Sequence, residues 1–169
     1  MNLLKLLVRG TVVLTAAGKK MQAQQMRLTA GEVKDNLEHF EPYGFTSHAQ
    51  AGAEGITAFL GGDRSHGVVL VVADRRYRLQ ALEAGEVALY TDEGDKIHFK
   101  RGRIIDIDTQ TLNIRAGVAV NFETPQITQT GRILSDGDQV AGGISQIEHA
   151  HSGVMPGNGQ SGAPVGGGG

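Results

Sequence analysis

The chain has no cysteine and no tryptophan. The first absence excludes disulfides and thiolate metal sites, and leaves the redox compartment open. The second, with aromatic residues at only 5%, argues against a large conventional core. No apolar run approaches the roughly 20 residues of a membrane-spanning helix. Neither sign of charge dominates: the net charge is −2 and the pI about 6.3. No global positive field therefore points to nucleic acid. The apolar start from Met1 to Leu7 is interrupted by Lys5, and no small-residue cleavage site follows cleanly. It reads as a docking segment over residues 1–8 and not as a signal peptide. Convincing helical periodicity is missing throughout.

What is there is period two. Between Gly85 and Phe122 the apolar residues fall two apart in short runs: Val87 and Leu89, Ile97 and Phe99, Ile105 and Ile107, Leu112 and Ile114, then Val118, Val120 and Phe122. Successive side chains leave a strand on opposite sides, so each run predicts a strand with one apolar and one wet face. Turn residues separate them at Asp92-Glu93-Gly94-Asp95, Arg101-Gly102 and Ala116-Gly117.

The N-terminal part reads as a separate block. Residues 9–14 predict a strand, 15–20 its turn and 21–28 a hairpin partner. Residues 29–48 are polar and irregular, with a single helical turn expected around 33–40. Residues 56–60 and 68–72 are two further strands joined by Gly61-Gly62-Asp63-Arg64-Ser65-His66-Gly67, a long-hairpin signal. Four to five short strands with a long irregular connection suit a small Greek-key barrel such as an OB-fold over residues 9–83. A small β-sandwich fits the pattern nearly as well. The cluster Arg75, Arg76 and Arg78 carries a single aromatic, Tyr77, where a nucleic-acid stacking platform wants several.

The one-sided strands after Gly85 need a cover, and no helix is expected to supply it. Two sheets packed within one chain are one solution. Three copies wound together, with every apolar face meeting on a common axis, are another, and that one leaves no exposed edge. After Phe122 the apolar residues thin to Ile127, Ile133, Val140, Ile144 and Ile147, the last Lys or Arg is Arg132, and the end is rich in glycine. This dwindling favours the intertwined shaft over 84–147, because a sandwich concentrates its core.

His149-Ala150-His151 is the sharpest local feature. In an extended segment both imidazoles reach one point, and imidazole ligates Fe, Ni, Cu or Zn. Two ligands per chain are too few for a closed site, whereas three chains supply six nitrogens, a set that suits iron better than zinc. Two exposed histidines flanking an alanine by chance are the bland reading. Gly143 to His151 also fits the first part of a cupin motif, but Val154 and Met155 stand where its Glu belongs and no His follows His151. The scattered His39, His48 and His66 lack partners, with Glu38 and Glu41 beside His39 reading as surface. His98, between Ile97 and Phe99, is expected to face solvent. Asp136 and Asp138 around Gly137 read as a turn before a cation site.

Three stretches together resemble the baseplate central spike proteins of contractile-tailed phages, of the Mu type in particular. They are Glu38-His39-Phe40-Glu41-Pro42-Tyr43-Gly44-Phe45-Thr46-Ser47 leading to the hairpin at Gly61; Asp74-Arg75-Arg76-Tyr77-Arg78 leading to Gly85-Glu86-Val87-Ala88-Leu89-Tyr90; and His149-Ala150-His151 with its Gly/Pro trailer. The resemblance implies an all-β homotrimer: an OB-fold that attaches to a baseplate hub protein, a triple-stranded β-helix, and a pointed apex over residues 148–169. There His149 and His151 of three chains hold one structural iron ion. It further implies a virion tail-tip protein, made in the host cytoplasm, that pierces the bacterial outer membrane and is not an enzyme. No lysozyme-like segment is legible, so wall digestion is expected of another protein. The rival from a different class is a soluble OB-type adaptor or glycan-binding module with a sandwich C-terminal half and a Gly-rich linker. An iron-dependent enzyme is third, since six histidines leave no open coordination position.

Overall fold

Alternating Val8, Gly10 and Val12 against polar neighbours put the first described segment into a long strand, β1 (Leu7–Ala16). The computed structural model describes residues 6–153, 155 and 157. Most of the docking segment expected over 1–8 and most of the Gly-rich end lie outside them. Contacts divide the chain into two units, Met1–Ile114 and Arg115–Gly169, taken here in turn.

In the first unit β1 is followed by β2 (Ala23–Arg27), β3 (Val33–His39), β4 (Glu54–Phe59) and β5 (Gly67–Ala73). β1 runs antiparallel to β2 and to β4. β3 meets β2 antiparallel and β5 parallel, through Glu38↔Val68 and His39↔Val69. With β4–β5 antiparallel, the order β1-β2-β3-β5-β4 closes on itself. This is the five-stranded barrel that the sequence pattern predicts, and closure leaves it no free edge. Its core is Val8, Val12, Met26, Leu28, Leu37, Ala53, Phe59 and Val69. A register shift between Val12 and Leu14 turns Leu14 outward and Thr15 inward. There Thr15 Oγ1 lies 2.9 Å from Gln24 Oε1, and Gln24 Nε2 donates to Gln22 Oε1 at 3.1 Å. Gly10 leaves room for a close backbone approach: a Cβ there would stand 2.6 Å from the carbonyl oxygen of Arg27.

One expectation is overturned here. Residues 33–39 are strand and not a helical turn; the helical turn in this region is a 3-10 turn at Thr29–Gly31. Asn36 takes a positive φ of 57° and the register shifts beside it. The bulge breaks the alternation that would have marked the strand. Beyond it Leu37 and His39 both point inward and are buried, so the surface reading of His39 is also corrected.

The alternation after Gly85 yields a three-stranded antiparallel meander, β6 (Val87–Tyr90), β7 (Lys96–Lys100) and β8 (Ile104–Asp108). The register aligns Val87, Phe99 and Ile105 in one row and Leu89, Ile97 and Ile107 in the next. Six apolar side chains thus tile one face, and all six are exposed. The opposite face aligns Ala88 with His98 and Asp106, and Tyr90 with Lys96 and Asp108. Ion pairs Lys96–Asp108 at 2.9 Å and Lys100–Asp106 at 3.1 Å cross it. Fully burying one such aliphatic or aromatic side chain is worth about 1.5–3 kcal/mol. No second sheet covers the apolar face among the described residues, so the within-chain sandwich does not form.

Leu112 with Ile114, and Val118 with Val120 and Phe122, keep their alternation but are not strands. A strand exists through its hydrogen-bonded neighbour, and the described chain offers these segments none. Among its described residues the second unit has one small hairpin, β9 (Val140–Ala141) and β10 (Ile144–Ser145). Among the described residues there is no α-helix, and no helix is long and apolar enough to cross a membrane.

Candidate metal centre

The β9–β10 hairpin turns on Gly142 and Gly143, both at positive φ, 59° and 82°. Two consecutive positive φ values define the tight turn that matches strand twist, and glycine adopts them without strain. The register pairs Ile144 with Ala141 and Ser145 with Val140. Asp138, two residues ahead of β9, holds the returning strand. Its Oδ1 accepts the backbone N–H of Gln146 at 3.0 Å and of Ile147 at 3.1 Å. The Ser145 hydroxyl, together with these N–H groups, keeps the Asp138 carboxyl below the usual carboxylate range. Gln146 N–H also reaches the carbonyl of Gln139 at 3.0 Å.

Ser145 carries the arrangement forward. Its Oγ accepts the N–H of Glu148 at 2.7 Å, and its carbonyl oxygen lies 2.9 Å from His149 Nδ1. A carbonyl only accepts, so Nδ1 carries the proton and His149 Nε2 keeps its lone pair. A bond of this kind from the other ring nitrogen orients histidines that bind metals. His151 stands beside it, with ring centroids 5.1 Å apart and planes at 83°, and both residues are exposed. The donor set therefore fits a borderline transition metal: two imidazoles side by side, one of them held at Nδ1 by a backbone carbonyl, and no thiolate. Among the described residues no three His, Cys, Asp or Glu side chains gather. Within the described residues of one chain, two imidazoles stand side by side there.

The structure brings His149 and His151 together as the i, i+2 spacing requires, although in a coil beyond β10 and not in a strand. His98 departs from its expectation. Its Nε2 lies 3.0 Å from Glu86 Oε2 and its side chain is only 14% exposed, so it does not face open solvent. His39 is buried in the barrel with Nδ1 3.4 Å from Gln22 Oε1; burial pushes its pKa down, partly opposed by Glu41. Of the basic cluster, Arg75 pairs with Glu54, while Arg76 pairs with Asp74 and lies over the ring of Tyr77. Sequence reasoning passed over Ser145 and took Asp138 for a simple turn. The usable signal was an Asp four residues before a Gly-Gly turn and a Ser two residues after it.

Comparisons with known proteins agree on one neighbourhood. The family model described as Bacteriophage Mu Gp45, N-terminal, matches residues 9–76. The model described as the GpV Apex motif matches residues 143–165, which contain both histidines. The "Baseplate puncturing device gp45" of Escherichia phage Mu is 36% identical over 129 residues, 76% of this chain. The chain spans 65% of the length of that relative. The "Mu-like prophage FluMu protein gp45" of Haemophilus influenzae is 37% identical over 161 residues, covering 88% of this chain and 87% of its own.

Proposed function

Because the chain belongs to the phage Mu gp45 family of baseplate proteins, we propose that it is the central spike of a contractile tail or tail-like particle. It sits at the baseplate tip of the virion and is driven through the host outer membrane when the sheath contracts. One observation carries the reading: six apolar side chains, Val87, Leu89, Ile97, Phe99, Ile105 and Ile107, lie uncovered on one face of β6–β8. A soluble chain does not leave such a patch in water without a partner. Three copies wound into a β-helix over 84–147 bury it and also pair the alternating segments near Leu112 and Val120.

The barrel over 9–83 is an OB-fold that docks on the baseplate hub. Its closed ladder transmits axial force without offering an edge for strand addition. At the apex, His149 and His151 of three chains hold one iron ion. Its role is structural: six imidazoles on one centre tie together three ends that cost much conformational entropy to order, and the binding free energy appears as stability of the tip. His149 presents Nε2 because Ser145 holds its Nδ1–H. The work of the molecule is mechanical, and wall hydrolysis belongs to a separate component. A tip without lysine or arginine after Arg132 does not linger on anionic lipopolysaccharide.

Native mass spectrometry of the full chain, with and without a strong chelator, tests this. The expected species is three chains with one transition-metal ion, the metal being lost in the His149→Ala/His151→Ala variant. A trimer without metal keeps the spike and removes the iron. A monomer at micromolar concentration overturns the shaft and favours a soluble adaptor.

A further inference from the structure

We propose that Asp138 is a positioning residue for the histidine pair, acting through Ser145 on the tautomer and direction of His149. The inference rests on the metal reading above and assigns a role to a residue that touches no ligand.

The chain of bonds is continuous. Asp138 Oδ1 gathers Gln146 N–H and Ile147 N–H, and the Gln146 N–H shares one planar peptide unit with the Ser145 carbonyl. These bonds hold the backbone from 145 to 147 in a fixed turn. Ser145 Oγ then takes the Glu148 N–H, and Ser145 O takes the Nδ1 proton of His149. Gln139 and Val140 hold the same strand through the ladder, but the hairpin has only two residues per strand. So short a ladder is marginal in water, and the carboxylate is what fixes the direction in which Ser145 O points. Without it His149 is free to carry its proton on Nε2, which occupies the ligating atom.

Outer-shell partners of this kind change metal affinity by roughly 10–100-fold. Iron affinity is measured on the full chain by competition with a chelator, and the His149 tautomer by nitrogen chemical shifts of metal-free protein labelled at histidine. Wild type is expected to show His149 protonated at Nδ1. Asp138→Ala is expected to shift it toward Nε2–H and to weaken iron binding by about 10-fold or more. Asp138→Asn, which keeps Oδ1 as an acceptor, recovers most of both. An unchanged tautomer and affinity in Asp138→Ala overturns the proposal. If wild type takes no iron but the tautomer shifts as stated, the metal reading falls and the positioning role stands. Should Asp138→Ala fail to fold, Asp138→Ser shortens the side chain and withdraws the acceptor from the Gln146 and Ile147 N–H groups; no tautomer shift in that variant overturns the proposal equally.

Discussion

Glu86 closes on His98. The carboxylate Oε2 lies 3.0 Å from the imidazole Nε2, and the two side chains are 6% and 14% exposed. The histidine is thus better covered than Ile97 or Phe99 on either side of it, which stand 37% and 44% exposed. At His98 the wet face of the sheet is covered, whereas the apolar residues on either side of it are open to water.

Glu86 should make the start of the sheet sensitive to acid. The N–H groups of Arg101 and Glu83, with His98 beyond them, hold its carboxyl below the usual range. A depressed carboxylate contributes stability that is fully present above the unfolded value of about 4.3 and is lost as pH falls through the folded value. Amide protection at Arg101, corrected for intrinsic exchange, is therefore expected to be flat from neutral pH to about 5 and to drop below about 4. Glu86→Gln should lower protection at neutral pH and flatten the acid limb. Identical profiles in the two proteins would remove Glu86 from this role.

The barrel should weaken at milder acidity and for a different reason. Burial lowers the pKa of His39, so the unfolded chain binds a proton more readily than the barrel does. Stability is full above the ordinary histidine value of about 6.5 and declines as pH falls through it toward the folded value. Thermal melts at pH 7.5 and 5.5 are expected to differ in wild type and to converge in His39→Gln. A slope that survives the substitution assigns the effect to another group.

Gly10 is required by space and not by backbone angle. Its added Cβ meets the Arg27 carbonyl oxygen at 2.6 Å and Leu28 Cδ2 at 2.8 Å, whereas nothing lies within 4 Å of one at Gly18. Backbone cannot move aside as a side-chain tip does, so Gly10→Ala should cost about 1–3 kcal/mol in chemical denaturation. Gly18→Ala should leave the midpoint within experimental error. Equal midpoints for the two variants would contradict the close packing of β1 on the end of β2.

The apolar face offers a direct test of assembly. Phe99→Asp places a charge on the middle strand of the tiled face, where burial without a partner is costly. Sedimentation velocity should find mainly single chains with the barrel still folded. Lys96→Gln, on the opposite face, should leave the proposed trimer intact and cost no more than the about 0–1 kcal/mol of a surface ion pair. Dissociation by both variants alike would mean that the face plays no special part.

The strands β6, β7 and β8 were legible because alternation is strict there and short turns separate the runs. β3 was not: Asp35 and Asn36 interrupt its apolar residues, and the positive φ at Asn36 shifts the inward positions by one. The His149–His151 pair was legible as a spacing. What aims it was not, since Asp138 acts from seven residues before Ser145 across a hairpin whose strands are too short to advertise themselves. His98 misled for a related reason. Alternation predicts the face a side chain takes, but not that Glu86, just ahead of the strand, folds over that face.

The barrel joins Leu7 to Ala58 and Glu38 to Val68, pairings between distant parts of the chain, whereas β6–β8 pair only with their immediate successors. Non-local closure is slow and local hairpins form fast. On a growing chain the barrel segment emerges first but cannot close before β5 is free, and the meander then forms within microseconds of its release. Its bare face is therefore in water from the moment it forms until other chains reach it. On the proposed reading, the crowding of nascent chains then decides between assembly and aggregation.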